Sequence, residues 1–261
     1  MKLSIFDNKN TFISLFGVLK NCSNLISIYL SNNLLHIQGM DKSHICLFEV
    51  KIHKKWFHIY EKERSDIDNI CIDSVVFYNI ISSSHENHII NIHYSGSPDS
   101  IHIDLTIQED NIKSTKGELN KYFKIPLANN DYELMSIPLI EYDAEFNINS
   151  KKIYEITSQM INFGNDINIT CSEETINLIT NGIIGEMLVN IPIDDLNEYA
   201  ICEGEVLDVT YSLNYLHKMC ITNKLTNQIE FSISKNYPMK IKYDLGNEST
   251  LQFFVASKVD V

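Results

Sequence analysis

The chain has 261 residues, with 34 acidic and 21 basic side chains and a formal net charge of −13. A hydrophobic content of 44% supports a real core and excludes a disordered chain, while five prolines and nine glycines exclude a collagen-like or linker-like one. The acidic balance argues against a protein that grips nucleic acid over its whole surface, because phosphate contacts need clustered Lys and Arg.

The stretch Met1–Asp7 is too short and too soon charged for a signal peptide. Nowhere do about 18 consecutive apolar residues occur, so no membrane helix is expected. Phe12, Leu15, Phe16 and Leu19 fall at i, i+3, i+4, i+7, which is one apolar face of a short helix. Residues 25–30 then read as a strand, Asn32-Asn33 as a turn and residues 34–37 as the returning strand. A second helix is expected over residues 74–84, with Phe77, Ile80 and Ile81 apolar. Strands follow at 88–94 and 101–105, joined by a turn at 97–99. Residues 128–138 have linker character in Asn129-Asn130-Asp131 and Pro138, yet carry the apolar Tyr132, Leu134, Met135 and Ile137. A purely solvated linker would not need them.

Beyond this linker the pattern repeats. Ile153, Ile156 and Met160 make a helical face, 166–171 a strand, Glu173-Glu174 a turn and 175–179 a strand. Advancing 141 residues carries Ile28 to Ile169, Leu30 to Cys171, Leu35 to Ile176 and Ile37 to Leu178, apolar onto apolar. A fourth unit has a helix over 212–221 with Leu213, Leu216 and Cys220, strands at 228–233 and 239–243, and a turn at Asn236-Tyr237-Pro238. A period this long marks tandem domains rather than a solenoid. The expected fold class is α+β: two similar domains over residues 1–127 and 139–261, joined by a connector at 128–138, each with antiparallel sheets and two short helices on one face.

One stretch makes the resemblance specific. Leu35-His36-Ile37-Gln38-Gly39-Met40-Asp41-Lys42-Ser43-His44-Ile45-Cys46-Leu47 resembles the L-Q-S-M-D-S-S-H-V-S-L segment of eukaryotic sliding clamps, the proliferating cell nuclear antigen family. Met135-Ser136-Ile137-Pro138 resembles the family's L-G-I-P connector, Tyr237-Pro238 its late V-P, and residues 251–259 its Y-Y-L-A-P-K-I end. The resemblance covers essentially the whole chain. It implies a homotrimeric ring, with helices lining the hole and sheets forming the rim. Such a ring is not an enzyme and needs no cofactor or metal. It encircles double-stranded DNA without reading sequence and tethers DNA polymerase, a clamp loader and other replication or repair proteins that carry a short clamp-binding motif. The expected location is nuclear, or a cytoplasmic replication site if the genome is viral. Heavy use of Asn and Ile, with Arg64 the sole arginine, fits an AT-rich genome.

Carried over by matching position, the partner pocket would comprise Met40, His44, Ile45 and Leu47; Met135, Ile137 and Pro138; and Pro238, Phe254, Ala256 and Val259. Met adapts to several partners, and apolar anchors carry most interface energy in a helix-in-groove mode. Ser257 replaces the family's Pro, Val259 replaces a larger Ile, and the tail stops at Val261 without the usual acidic extension. DNA-facing candidates are Lys9, Lys20, Lys151, Lys152, Lys218 and Lys224. The lining is thin, since the second helix has no basic residue and Glu155 stands where the family has a cation. The subunit contact would pair an edge strand holding Tyr122, Phe123 and Ile125 with one holding Met187 and Val189, a head-to-tail arrangement that can close a ring.

The six cysteines are far apart with no C-x-x-C and read as reduced, buried thiols. None of the nine histidines shows H-E-x-x-H spacing, and no phosphate-loop or G-x-S-x-G motif occurs. Two alternatives stay open. One is a checkpoint-type ring subunit or a monomeric polymerase accessory factor of the herpesvirus kind. The other is an enzyme using the His-rich strands around His85 and His88.

Overall fold

The structure, a computed structural model, describes residues 1–62, 69–94, 100–107, 118–129, 133–221 and 225–258. In chain order its elements are β1 (Lys2–Ile5), α1 (Lys9–Cys22), β2 (Leu25–Leu30), β3 (Leu34–Met40), β4 (Cys46–His53), β5 (Ile59–Glu61), β6 (Asn69–Asp73), α2 (Ser74–Ser82), β7 (His88–His93), β8 (Ser100–Ile107) and β9 (Lys121–Pro126). They continue as β10 (Ala144–Asn149), α3 (Ser150–Met160), β11 (Asp166–Cys171), β12 (Thr175–Gly182), β13 (Gly185–Pro192), β14 (Glu198–Ile201), β15 (Leu207–Ser212), α4 (Leu213–Cys220), β16 (Gln228–Ile233), β17 (Met239–Gly246) and β18 (Ser249–Val255). Among the described residues, antiparallel strands dominate and four α-helices accompany them, the expected α+β composition. The turn read at 97–99 lies outside the described residues, as do Arg64, Tyr132, Lys224 and Val259.

The chain forms two compact units. The first comprises Met1–Gly39, Glu49–Leu134 and Leu245–Thr250. Its strands run β5-β1-β7-β8-β9 in one sheet and β6-β2-β3-β4 in another. Helix α1 buries Phe12, Leu15, Phe16, Val18 and Leu19, and the Phe16 ring lies 4.5 Å from Phe77 of α2. Burying each of these large side chains contributes about 1.5–3 kcal/mol. Gly17 lets α2 approach closely: a Cβ there would stand 3.1 Å from the Tyr78 ring. Asp73 caps α2 by accepting from the N–H groups of Val75 and Val76.

The second unit comprises Met40–Phe48, Met135–Asp244 and Leu251–Val261. Its strands run β13-β12-β11-β15 and β14-β10-β16-β17-β18. Asn149 caps α3 as Asp73 caps α2, accepting from Lys151 and Lys152. Helix α4 buries Leu213, Leu216, Met219 and Cys220. Five cysteines are buried thiols outside any disulfide; Cys202 is also a thiol but exposed, a departure from the expected set of buried thiols.

The offset of 141 residues survives down to individual rungs. Leu30 pairs with Leu35 and Ile28 with Ile37; Cys171 pairs with Ile176 and Ile169 with Leu178. Both hairpins turn on a serine. Ser31 N–H donates to Leu34 O at 2.9 Å and Ser172 N–H to Thr175 O at 3.0 Å. A tyrosine hydroxyl then locks each turn, Tyr60 onto Ser31 O and Tyr199 onto Ser172 O.

Candidate functional site

Strand β3 ends at Met40, and the chain reverses through residues 41–45 into β4. Asp41 organises this loop. Its Oδ1 accepts from the N–H groups of Ile45 (2.8 Å) and Cys46 (2.7 Å), and its Oδ2 from the N–H of Ser43 (2.9 Å) and the hydroxyl of Tyr215 (2.7 Å). Asp41 is 8% exposed. Burial alone would raise its carboxyl, but the bonds from Cys46, Tyr215, Ser43 and Ile45 outweigh that and hold it below the ordinary range. His44 sits at the tip in the left-handed region, φ 56°, and points to solvent.

Two further segments are fastened in the same manner. Asp143 accepts from the Ser234 hydroxyl (2.8 Å) and the Lys235 N–H (3.1 Å), fixing the turn that carries Pro238. After β18, Ala256 N–H donates to Ile45 O (3.0 Å), Lys258 N–H donates to Thr210 O (2.8 Å), and the Lys258 ammonium pairs with Asp166. The tail is thus tied to the 41–45 loop at one point and to β15 at the next. Residues 133–142 have no regular secondary structure, and Leu134, Met135 and Leu139 are exposed.

All described members of the predicted pocket lie in the second unit. Met40, Ile45, Leu47, Ile137 and Phe254 are half-buried; His44, Met135, Pro138, Pro238 and Ala256 are exposed. None of these ten is an ordinary core side chain. Sequence reasoning passed over Leu139, which is fully exposed, and Tyr237, 44% exposed. It also names neither Asp41 nor Tyr215 as a site residue. An aspartate at the end of a strand, followed by polar residues, signals an Asx turn, but a helix hydroxyl 174 residues away leaves no local trace.

The lysines divide. Lys9 was expected to face DNA, and the structure corrects that: it is 6% exposed, and its ammonium donates to the carbonyls of His85 (2.6 Å), Glu86 (2.6 Å) and His88 (2.8 Å). Burial lowers its pKa, opposed by the nearby Glu86 and Glu118. Lys20 rests over the Tyr78 ring at 3.5 Å. At the start of α3, Lys152 pairs with Asp195 (2.9 Å) and Lys151 lies 3.9 Å from Glu155. Lys218 is exposed, 5.5 Å from the Tyr215 ring. Lys224 lies outside the described residues. On α2 the outward residues include Val75 and Val76, both exposed.

β9 and β13 are each the terminal strand of their sheet. On β9, Tyr122 is 68% exposed and Phe123 half-buried, whereas Ile125 faces its own core. On β13, Met187 and Val189 are half-buried, and Leu188 between them is 57% exposed. The Ile183-Ile184 tip before β13 is also open to solvent, beside a cavity of about 410 Å³ lined by Phe163, Gly164 and Asn181.

The family model described as the proliferating cell nuclear antigen N-terminal domain matches residues 4–138, and the corresponding C-terminal domain model matches residues 136–258. The chain is 23% identical over 228 residues to the proliferating cell nuclear antigen of Chaetomium thermophilum, covering 85% of each chain. It is 22% identical over 258 residues to that of Saccharomyces cerevisiae, covering 97% of this chain and 96% of the relative. A protein of Autographa californica nuclear polyhedrosis virus described as a "Probable DNA polymerase sliding clamp" is 23% identical over 228 residues, covering 87% of this chain and 85% of the relative.

Proposed function

As a member of the proliferating cell nuclear antigen family, to which the chain belongs, the protein is a DNA sliding clamp, and we propose that three copies close head to tail into a ring around duplex DNA. The observation that carries this reading is the 141-residue repeat, kept rung for rung and matched by both domain models across nearly the whole chain. Clamps of this family are scaffolds rather than enzymes. Their action is topological: a closed ring cannot leave sideways, so weak contacts suffice, and a tethered polymerase gains a high effective concentration at the primer end.

In this reading the free edge of β9 on one protomer pairs with that of β13 on the next. Two different edges joined head to tail form a heterologous contact that closes when the rotation divides a full turn. The pocket of Met40, Ile45, Leu47, Met135, Ile137, Pro238 and Phe254 takes the short clamp-binding motif of a polymerase, a loader or a repair protein. The site of action is where the genome is copied, in the nucleus or, for a viral genome, in a cytoplasmic replication site.

Mass measurement in solution tests the ring. At micromolar concentration the species should weigh about three times the 30.1 kDa chain. A species of one chain mass would overturn the homotrimer in favour of a monomeric accessory factor. That second reading draws on one observation: with Lys9 locked inside and α2 lacking cations, the first unit has few described lysines left on its helices.

A further inference from the structure

The 41–45 loop is an exposed segment with one residue in the left-handed region, a conformation costing roughly 1–2 kcal/mol for a non-glycine residue. Left to itself such a loop would sample several shapes, and a ligand would meet the cost of ordering it. Here three backbone N–H groups converge on one carboxylate, and a fourth donor arrives from outside the loop. That donor is the Tyr215 hydroxyl on α4, 2.7 Å from Asp41 Oδ2. The same loop presents Ile45 and leads into Leu47, and its Ile45 carbonyl receives the tail through Ala256. Fixing Asp41 therefore fixes two of the segments that hold predicted pocket residues.

We propose that Asp41 and Tyr215 are positioning residues of the partner pocket: the hydroxyl orients the carboxylate, the carboxylate holds the loop in its binding shape, and the loop holds the tail. This rests on the pocket reading above. Neither residue touches the ligand. Their effect is pre-organisation, so the interaction between them shows as affinity for peptide. Asp143 secures the turn by accepting from a hydroxyl and a backbone N–H, and Asp166 secures the tail through its ion pair with Lys258.

The test uses the full-length protein and a fluorescent peptide bearing aliphatic and aromatic anchors on one helical turn, with affinity read by anisotropy. Tyr215→Phe removes one charge-assisted hydrogen bond and should weaken binding about tenfold. Asp41→Asn should weaken it at least as much, and the double variant should be no weaker than Asp41→Asn alone. In the peptide-free protein the amide protons of Ser43, Ile45 and Cys46 should lose their downfield shift and slow exchange in both single variants, while the solution mass stays that of wild type. Ile137→Glu serves as the control for the pocket itself. If Ile137→Glu abolishes binding while Tyr215→Phe and Asp41→Asn bind as wild type, the positioning role is overturned and the pocket stands. If Ile137→Glu binds as wild type, the pocket falls and the positioning role with it. Should Asp41→Asn fail to fold, Tyr215→Phe decides the question, since it removes only a hydroxyl.

Discussion

Lys9 spends its charge inside the protein. Its ammonium gathers two carbonyls from the turn after α2 and one from the first residue of β7, closing a stretch of backbone that would otherwise need water. Lys9→Met keeps the length of the side chain but leaves those acceptors without a donor. Urea unfolding should show a loss of about 2–3 kcal/mol, with retention on circular DNA unchanged. Unchanged stability with shortened retention would return Lys9 to the hole. Its role was not legible in the sequence because a lysine at the start of a helix looks the same whether it meets phosphate or carbonyl; the acceptors lie 76 to 79 residues downstream. Lys20 had a local clue that went unused, since Gly17 one turn earlier opens room for the Tyr78 ring on which Lys20 rests.

At the scale of elements, hairpins were the most legible features. Strands 25–30 and 166–171 have the bounds expected from alternation, and the rungs Ile28–Ile37 and Ile169–Leu178 fall as the offset requires. Period-2 patterning reports a half-buried sheet well because one face must be apolar. The same rule misleads on β9 and β13. An edge strand with apolar residues on both faces gives no phase, so Ile125, which faces its own core, was grouped with the exposed Tyr122, and Leu188 was passed over. The observed phase makes a sharper prediction. Leu188→Asp puts a charge on an exposed edge position and should shift the solution mass from trimer toward single chains, raising the dissociation constant at least about tenfold, with the melting temperature of the chain little changed. Ile125→Asp should instead abolish folding. Equal, small effects of the two on assembly would contradict the assignment of β9 and β13 to the subunit contact.

For the whole molecule, net charge proved a poor guide and its distribution a better one. Among the described candidates, Lys9 is internal, Lys151 and Lys152 already sit beside carboxylates, and Lys20 and Lys218 lie near tyrosine rings. A surface so weakly basic makes few phosphate contacts, so its direct grip should be weak at any salt concentration. Retention should then depend on closure. Loaded onto nicked circular DNA, the protein should stay bound through a salt wash, and cutting the circle should release it within the same wash. Persistence on the linear product with free ends would mean that contacts, rather than encirclement, hold it.

Position 41 lies just past the end of β3, and its counterpart 141 residues on, position 182, is the last residue of β12. The first copy carries Asp41, which draws a loop together; the second carries Gly182, where a Cβ would stand 1.7 Å from the Phe163 carbonyl oxygen. Neither residue could serve in the other's place: a side chain at 182 has no room, and a glycine at 41 would leave three amides unclaimed. The two hairpins thus share their register and part at this position, one in a tight backbone crossing and the other in a loop gathered by a carboxylate.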